Sequence, residues 1–553
     1  MVSPAGRGCY NTALTMRIFP GLTHPLRGYR LAGPALLFGL ASCTVGPNFT
    51  RPSLWSPASW FRASSPAAEA AAEKDRGTLH SAAPIDVEWW DSFHDPMLSH
   101  LVRRAATLNL DVQTATERLA ESRAQRSIAG ADEFPQVNGN GSYTRERISP
   151  RGATALFAGG GAGGGGASGG AGGGSMATQS NGLGGRTGAV PSSITGGQTI
   201  PPFNLFQYGF DASWELDLWG RVRRSIEQAN ADVQASAEAR RDALLSSMAE
   251  IARDYVQLRG LQRQEQVARN SLNTAKDSAY LTRQRTKAGL ASDLDVANAD
   301  ATVAAEQAQL PQFRAQEGQM INALSYLLGE TPGALTAELS TPKPVPPTPD
   351  VVPLGLPSEL TQRRPDIRRA EAQLHAATAG IWVAQADFFP RITLSGSLSI
   401  QSLQFKDLGN WASRAYGFGP SVTVPIFQGG RLRATLVLRR AQQREAAIAY
   451  RQTVLGAFRD VDDALIAYHS EQTRRVALQA AVTANREAVD LAQRRFRQGI
   501  SPFLDVLTAE RTLFDAEQQL ATSTAQVTTD LVQLYKALGG GWEDAEPRMA
   551  RAG

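Results

Sequence analysis

The run Leu244-Leu245-Ser246-Ser247-Met248-Ala249-Glu250-Ile251-Ala252-Arg253-Asp254-Tyr255-Val256-Gln257-Leu258 sets the architecture of this chain. Its large apolar residues Leu244, Met248, Ile251, Tyr255 and Leu258 stand at intervals of four, three, four and three, the spacing of one packed helix face. Val454, Phe458, Val461, Leu465 and Tyr468 repeat those intervals, each displaced by about 210 residues. The same displacement lays Gly220-Arg221-Val222-Arg223 on Gly430-Arg431-Leu432-Arg433, Gly289 on Gly499, Asp295-Val296 on Asp505-Val506 and Leu328-Gly329 on Leu538-Gly539. A chain with this self-similarity is read as internally duplicated.

Upstream the displacement grows to about 255, so that Leu119, Ala129, Asp132 and Phe134-Pro135 match Leu374, Ala384, Asp387 and Phe389-Pro390. The jump places an insertion in the first half, between Tyr143 and Pro202, where the chain reads GGGAGGGGASGGAGGGS. That composition predicts a flexible loop over about 145–200. The expected organisation is a signal segment over 1–42, an extended segment over 43–85, a first repeat over 86–330, a proline-rich link over 331–357, a second repeat over 358–540 and a tail over 541–553.

Each half is expected to hold a helix, a strand hairpin and two long helices. In the first, Phe206, Tyr208, Phe210, Ala212, Trp214, Leu216 and Leu218 alternate with Gln207, Asp211, Ser213, Glu215 and Asp217. In the second, Ile392, Leu394, Leu398 and Ile400 alternate with polar residues, and Tyr416, Phe418, Val422, Val424 and Ile426 continue the rule. The fourth strand, over Val137–Tyr143, is rich in Gly and Asn. Period two with one apolar face suits a strand that crosses a membrane in ~9–11 residues. Residues 221–287 and 431–498 carry no proline. As single helices each would run for on the order of 100 Å, a length that suits a stalk or wall and no ordinary globule. Four strands with open edges cannot stand in lipid, because unpaired backbone groups there cost several kcal/mol each. Other copies must complete the barrel: two give eight strands, whose interior side chains fill, and three give twelve, which leaves room for a pore.

The 553 residues carry a net charge of only +4, with acidic and basic residues mixed, so no nucleic-acid footprint is present. Cys9 and Cys43 form no CxxC pair, and the six histidines show no metal-ligand spacing, so neither a disulfide framework nor a metal site is expected. GxSxG, HExxH and phosphate-loop motifs are absent, and no enzymatic chemistry is expected. Arg17, Arg27 and Arg30 precede the apolar run Leu31–Leu40, which is too short to span a bilayer and ends in Leu40-Ala41-Ser42-Cys43. That ending resembles a bacterial lipoprotein signal, which implies a lipid on Cys43. Thr44, where lipoproteins kept in the inner membrane usually carry Asp, points to the outer membrane.

Further motifs carry a second resemblance. They are Cys43-Thr44-Val45-Gly46-Pro47-Asn48-Phe49, Trp89-Trp90 with Asp95-Pro96 and Leu98, Arg363-Arg364-Pro365-Asp366-Ile367-Arg368 with Ala370-Glu371 and Phe388-Phe389-Pro390, and Leu534-Tyr535-Lys536-Ala537-Leu538-Gly539-Gly540-Gly541-Trp542. Together with the duplication they resemble the TolC-like outer-membrane efflux proteins, in their lipoprotein (NodT-type) branch, over nearly the whole mature chain. The resemblance implies a homotrimer with a twelve-stranded barrel in outer-membrane lipid and a long α-helical barrel in the periplasm. It implies a periplasmic adaptor and an inner-membrane RND-type pump as partners, and no cofactor beyond the lipid on Cys43. The competing reading is a periplasmic coiled-coil lipoprotein that acts as adaptor or tether; it leaves the amphipathic strands unexplained.

Gly289 and Gly499 sit where the paired long helices should turn, Gly being suited to the left-handed residue after a helix end. Ser292 with Asp295 has the spacing of a capping box, and Ser501-Pro502 reads as an N-cap followed by a first helical residue. By resemblance these turns, with Gly289, Leu290, Ser292, Gly499, Ile500 and Ser501, contact the adaptor. Asp295 and Asp505 match the family's acidic tip positions, where three copies would form carboxylate rings that draw cations. Ser501 and Thr508 stand where some members carry further aspartates. Like charges in such a ring repel, so closure must come from packing or from partners such as nearby Arg494, Arg495 and Arg497, and Trp214 and Trp219 are either interfacial anchors or ordinary packing residues.

Overall fold

The computed structural model describes residues 46–52, 60, 79–81, 87–147 and 202–543. Cys43, the signal segment, most of the glycine-rich insertion and the end of the tail lie outside the described residues. After a three-residue strand β1 (Leu79–Ser81) come α1 (Pro96–Leu108) and α2 (Leu110–Ala131). The hairpin strands β2 (Gln136–Glu146) and β3 (Phe203–Leu216) lead into two long helices, α3 (Arg221–Lys287) and α4 (Asp293–Leu327). A short α5 (Thr336–Leu339), β4 (Val351–Pro353) and α6 (Pro357–Arg363) follow. Then the order recurs: α7 (Pro365–Ala386), β5 (Arg391–Ser402), β6 (Arg414–Thr423), α8 (Arg431–Arg497) and α9 (Phe503–Leu538).

The recurrence extends to lengths. Helices α2 and α7 both have 22 residues and α3 and α8 both have 67. Helices α4 and α9 have 35 and 36. Each long helix starts after a left-handed glycine, Gly220 or Gly430. At ~1.5 Å per residue, α3 and α8 each extend about 100 Å away from the sheet.

The sheet runs β2-β3-β5-β6, antiparallel throughout. Its register keeps the two faces separate. Phe210 lies opposite Leu398, Trp214 opposite Leu394, and Leu398 in turn opposite Tyr416. On the other face Asn138 pairs with Asp211, Gln207 with Gln401, and Ser397 with Gly417. The Gly- and Asn-rich β2 is a full strand of 11 residues.

The two heptad series meet in one core. Leu244, Met248, Ile251, Tyr255 and Leu258 pack with Val454, Phe458, Val461, Leu465 and Tyr468, all buried. Trp89 closes this core from the amino-terminal side, stacked on Tyr535 at 5.3 Å between ring centres. The proline-rich link is fastened to it. Arg259, fully buried, donates from Nη1 to the carbonyls of Leu339 and Thr341 at 3.3 and 2.9 Å, and β4 pairs in parallel with β1. Among the described residues no helix is long and apolar enough to cross a membrane.

Candidate functional site

Two regions at opposite ends of the long helices combine unusual surface chemistry with defined geometry. At the sheet end, Tyr208, Phe210, Leu394, Leu398, Tyr416, Phe418 and Val422 all lie exposed on one face. A soluble sheet buries such a face or makes it polar; here the apolar face is bare and the opposite face carries Ser, Asn and Gln. The two tryptophans at the base of the hairpins are held by the backbone. Trp214 donates from Nε1 to the Glu133 carbonyl at 2.9 Å. Trp219 donates to the Pro390 carbonyl at 2.8 Å and stacks on Phe389.

At the far end lie the two turns. Gly289 has φ +71° and Gly499 has φ +73°, as the helix ends require. Leu290 N–H bonds back to the Arg285 carbonyl and Gly289 N–H to that of Thr286. Ile500 and Gly499 repeat these bonds to Arg495 and Phe496. Both turns are therefore Schellman motifs, which satisfy carbonyls that a helix end leaves free. Leu290, Leu294, Ile500 and Leu504 point outward at equivalent places and are all more than 60% exposed.

The starts of α4 and α9 differ. Ser292 and Asp295 form the capping box, the Ser292 hydroxyl accepting from the Asp295 N–H and the Asp295 carboxylate accepting from the Ser292 N–H at 3.0 Å. In the second turn the N-cap is Pro502, not Ser501, and α9 begins at Phe503. The Ser501 hydroxyl is buried without a partner. A proline ring fixes the entry angle but offers no side-chain acceptor, so nothing stands in for the first turn's cap. Asp505 is exposed, and among the described residues its carboxylate accepts no hydrogen bond. Within the chain the nearby arginines do not reach it, and Arg494 pairs with Asp490 instead.

The two turns are joined by residues that sequence reading missed. Phe496, Phe503 and Val506 pack with Ala279 and Ala299 in a small core shared by both hairpins. Arg285 donates to the Phe496 carbonyl and lies over the Phe496 ring. Glu510 on α9 accepts from Ser278 on α3 at 2.8 Å and from Gln493 on α8 at 2.9 Å. Burial holds its carboxyl above the ordinary range, against the lowering effect of those two donors. Glu306, buried on α4, is pushed the same way by burial and by Asp515. A basic residue in the last helical turn was the only signal for Arg285. Its target on another helix had none.

The amino-terminal segment docks beneath the sheet. Arg224, in the first turn of α3, donates to the Gly46 carbonyl at 2.9 Å and to Asn48 Oδ1 at 3.3 Å. Gly46 lies so close to the Trp382 ring that a Cβ would overlap it, and Phe49 stacks on His375 at 4.5 Å.

The model of the family described as outer membrane efflux protein matches residues 101–330 and 356–540. The chain belongs to that family. It is 33% identical over 514 residues to the probable efflux pump outer membrane protein TtgC of Pseudomonas putida, covering 91% of this chain and 94% of that one. Outer membrane protein OprJ of Pseudomonas aeruginosa is 32% identical over 515 residues, covering 93% and 96%. Among solved structures, the outer-membrane channel OprN superposes with a TM-score of 0.77 at 32% identity, over 90% of this chain and all of that one. The MtrE outer membrane channel of Neisseria gonorrhoeae, solved in an open state, gives 0.69 at 26% identity over 90% and 99%. This outer membrane efflux protein is thus an exit duct at the outer membrane, of a family of channel-forming transporters.

Proposed function

We propose that this efflux protein is internally duplicated, with repeats over 86–330 and 358–540, and that three copies close a twelve-stranded barrel in the outer membrane. The long helices continue that barrel into the periplasm as one conduit. The observation that carries the reading is the four-stranded sheet, apolar on one face and polar on the other, with β2 and β6 each paired on one side only. Open edges in lipid demand partners; twelve strands are the smallest closure by whole chains that leaves a lumen.

The outward Leu290 and Ile500, on turns shaped by Gly289, Ser292, Gly499 and Ser501, give a periplasmic adaptor apolar contacts at the mouth, through which an inner-membrane RND-type pump loads the duct. Asp505, unpartnered and exposed, suits a cation-attracting ring there better than Asp295, which caps α4. A lipid on Cys43 is supported by the Leu40-Ala41-Ser42-Cys43 ending of the apolar run.

Purified from outer membranes, the protein is expected to run as a heat-resistant trimer and to conduct ions in planar bilayers. A deletion strain should gain sensitivity to pump substrates. A monomer without conductance would sink the reading and favour a tether.

A further inference from the structure

The two rims of the sheet treat their cations differently. At the rim that leads into the long helices, three arginines meet carboxylates: Arg221 pairs with Glu215 at 2.7 Å, Arg223 with Asp217 at 3.2 Å and Arg391 with Asp387. At the far rim, where β5 turns into β6, Lys406 and Arg414 are exposed, and among the described residues neither pairs with a carboxylate. Asp407 is the only acid between Leu403 and Ser413, and it bonds to neither of them. Arg145, at the same rim on β2, is likewise exposed and unpaired, while Glu146 beside it sits on the opposite, polar face.

These cations stand among rings. Arg414 lies opposite Ile400, and Ile400 opposite Tyr208. Directly opposed residues share a face, so Arg414 emerges on the apolar face, with Tyr416 and Phe418 following it along β6. The Tyr208 hydroxyl donates to the Leu408 carbonyl at 3.1 Å and Phe405 meets Phe206 edge-on, which folds the β5–β6 loop against that face. Phe405 and Trp411 nevertheless remain 74% and 68% exposed. The Arg414 guanidinium is held 4.8 Å from the Trp411 ring centre, with Nη1 donating to the Trp411 carbonyl at 3.0 Å. Its Nε and Nη2 have no partner among the described residues. That edge of a guanidinium is a planar fork that fits a phosphate with two parallel hydrogen bonds.

We propose that this corner of the sheet docks a phosphorylated lipid of the outer leaflet, with Arg414 and Lys406 taking the headgroup phosphate, Trp411 and Phe405 flanking it, and the acyl chains lying along Tyr416 and Phe418. This rests on the reading of the sheet as a membrane barrel with its long helices on the periplasmic side, which puts the β5–β6 loop at the outer surface. A lipid-facing arginine is costly at mid-bilayer and tolerated toward the interface, and exposed Trp favours the same level. The missing carboxylate supplies the remaining argument: the anion that balances these cations has to come from outside the chain, and at that level a lipid headgroup offers it.

Native mass spectrometry of the full chain, extracted in detergent from outer membranes, tests the site. The probes are bisphosphorylated lipid A, the same lipid stripped of both phosphates, and inorganic phosphate. The phosphorylated lipid should bind about tenfold or more tightly than the stripped one. Arg414→Gln with Lys406→Gln should abolish that difference, whereas Arg459→Gln, on α8 beside Asp460, should leave it unchanged. Should the double variant fail to insert, Arg414→Lys keeps the charge, loses the fork and is expected to weaken binding several-fold. Equal affinity of the wild type for both lipids, or wild-type affinity in the Arg414 variants, overturns the proposal. Displacement of the lipid by an equal concentration of inorganic phosphate overturns it too, in favour of a site for the free ion. A chain missing from outer-membrane fractions overturns the barrel reading and the lipid site with it.

Discussion

Arg285, in the last turn of α3, donates from Nη1 to the Phe496 carbonyl near the end of α8 at 2.6 Å, with its guanidinium 4.3 Å from the centre of the Phe496 ring. One side chain of the first hairpin thereby neutralises the negative end of a helix in the second. The equivalent positions, displaced by 210, are Arg495 and Thr286, so any matching arginine contact lacks the aromatic platform. The two long-helix hairpins of the chain are thus clamped by a device with no counterpart at the displaced positions.

Arg285→Ala should loosen this clamp by about 1–3 kcal/mol, combining a charge-assisted hydrogen bond with a cation–π contact. The expected result is higher conductance and more frequent opening in planar bilayers, with trimer abundance unchanged. Conductance equal to wild type would show that the hairpins are held elsewhere.

The two acidic tip residues should separate by phenotype. Ser292→Ala removes half of a capping box and is expected to cost ~1 kcal/mol locally, seen as faster amide exchange at the start of α4. Asp505→Asn breaks no hydrogen bond, so the trimer should persist while cation preference falls in reversal-potential measurements. Unchanged selectivity would move the constriction away from Asp505.

Glu510 predicts a pH dependence. Its folded carboxyl is harder to ionise than an unfolded one because of burial between α3, α8 and α9. Its contribution to stability is therefore full below the unfolded value and is lost as pH rises through the raised folded value. Glu510→Gln keeps an acceptor for Ser278 and Gln493 without the charge. Melting temperature should rise at neutral pH and stay near wild type in acid. A fall at neutral pH would mean that the ionised form is the stabilising one.

Mass spectrometry of the exported protein should find the chain starting at an acylated Cys43. Cys43→Ala should still assemble trimers, since a closed barrel provides its own membrane attachment. An intact amino terminus would remove the anchor from the account.

The elements and their faces are legible in the chain's local patterns. The intervals along Leu244–Leu258 and Val454–Tyr468, the alternation through Phe206–Leu216 and the glycines at 289 and 499 depend on neighbours within a few residues. Helix period, strand period and left-handed turns are properties of short chain segments. The Ser292–Asp295 box was legible for the same reason. Three-dimensional packing sets the rest: Pro502 rather than Ser501 caps α9, Trp214 and Trp219 spend their N–H groups on the backbone at the sheet base, and Arg494 turns to Asp490 instead of Asp505. Likewise Arg259 fastens the proline-rich link, and Arg285 chooses a carbonyl more than 200 residues away. Long polar side chains have many partners within reach; which one they meet is set by how the helices pack around one another, and that arrangement is a property of the whole bundle rather than of any stretch of the chain.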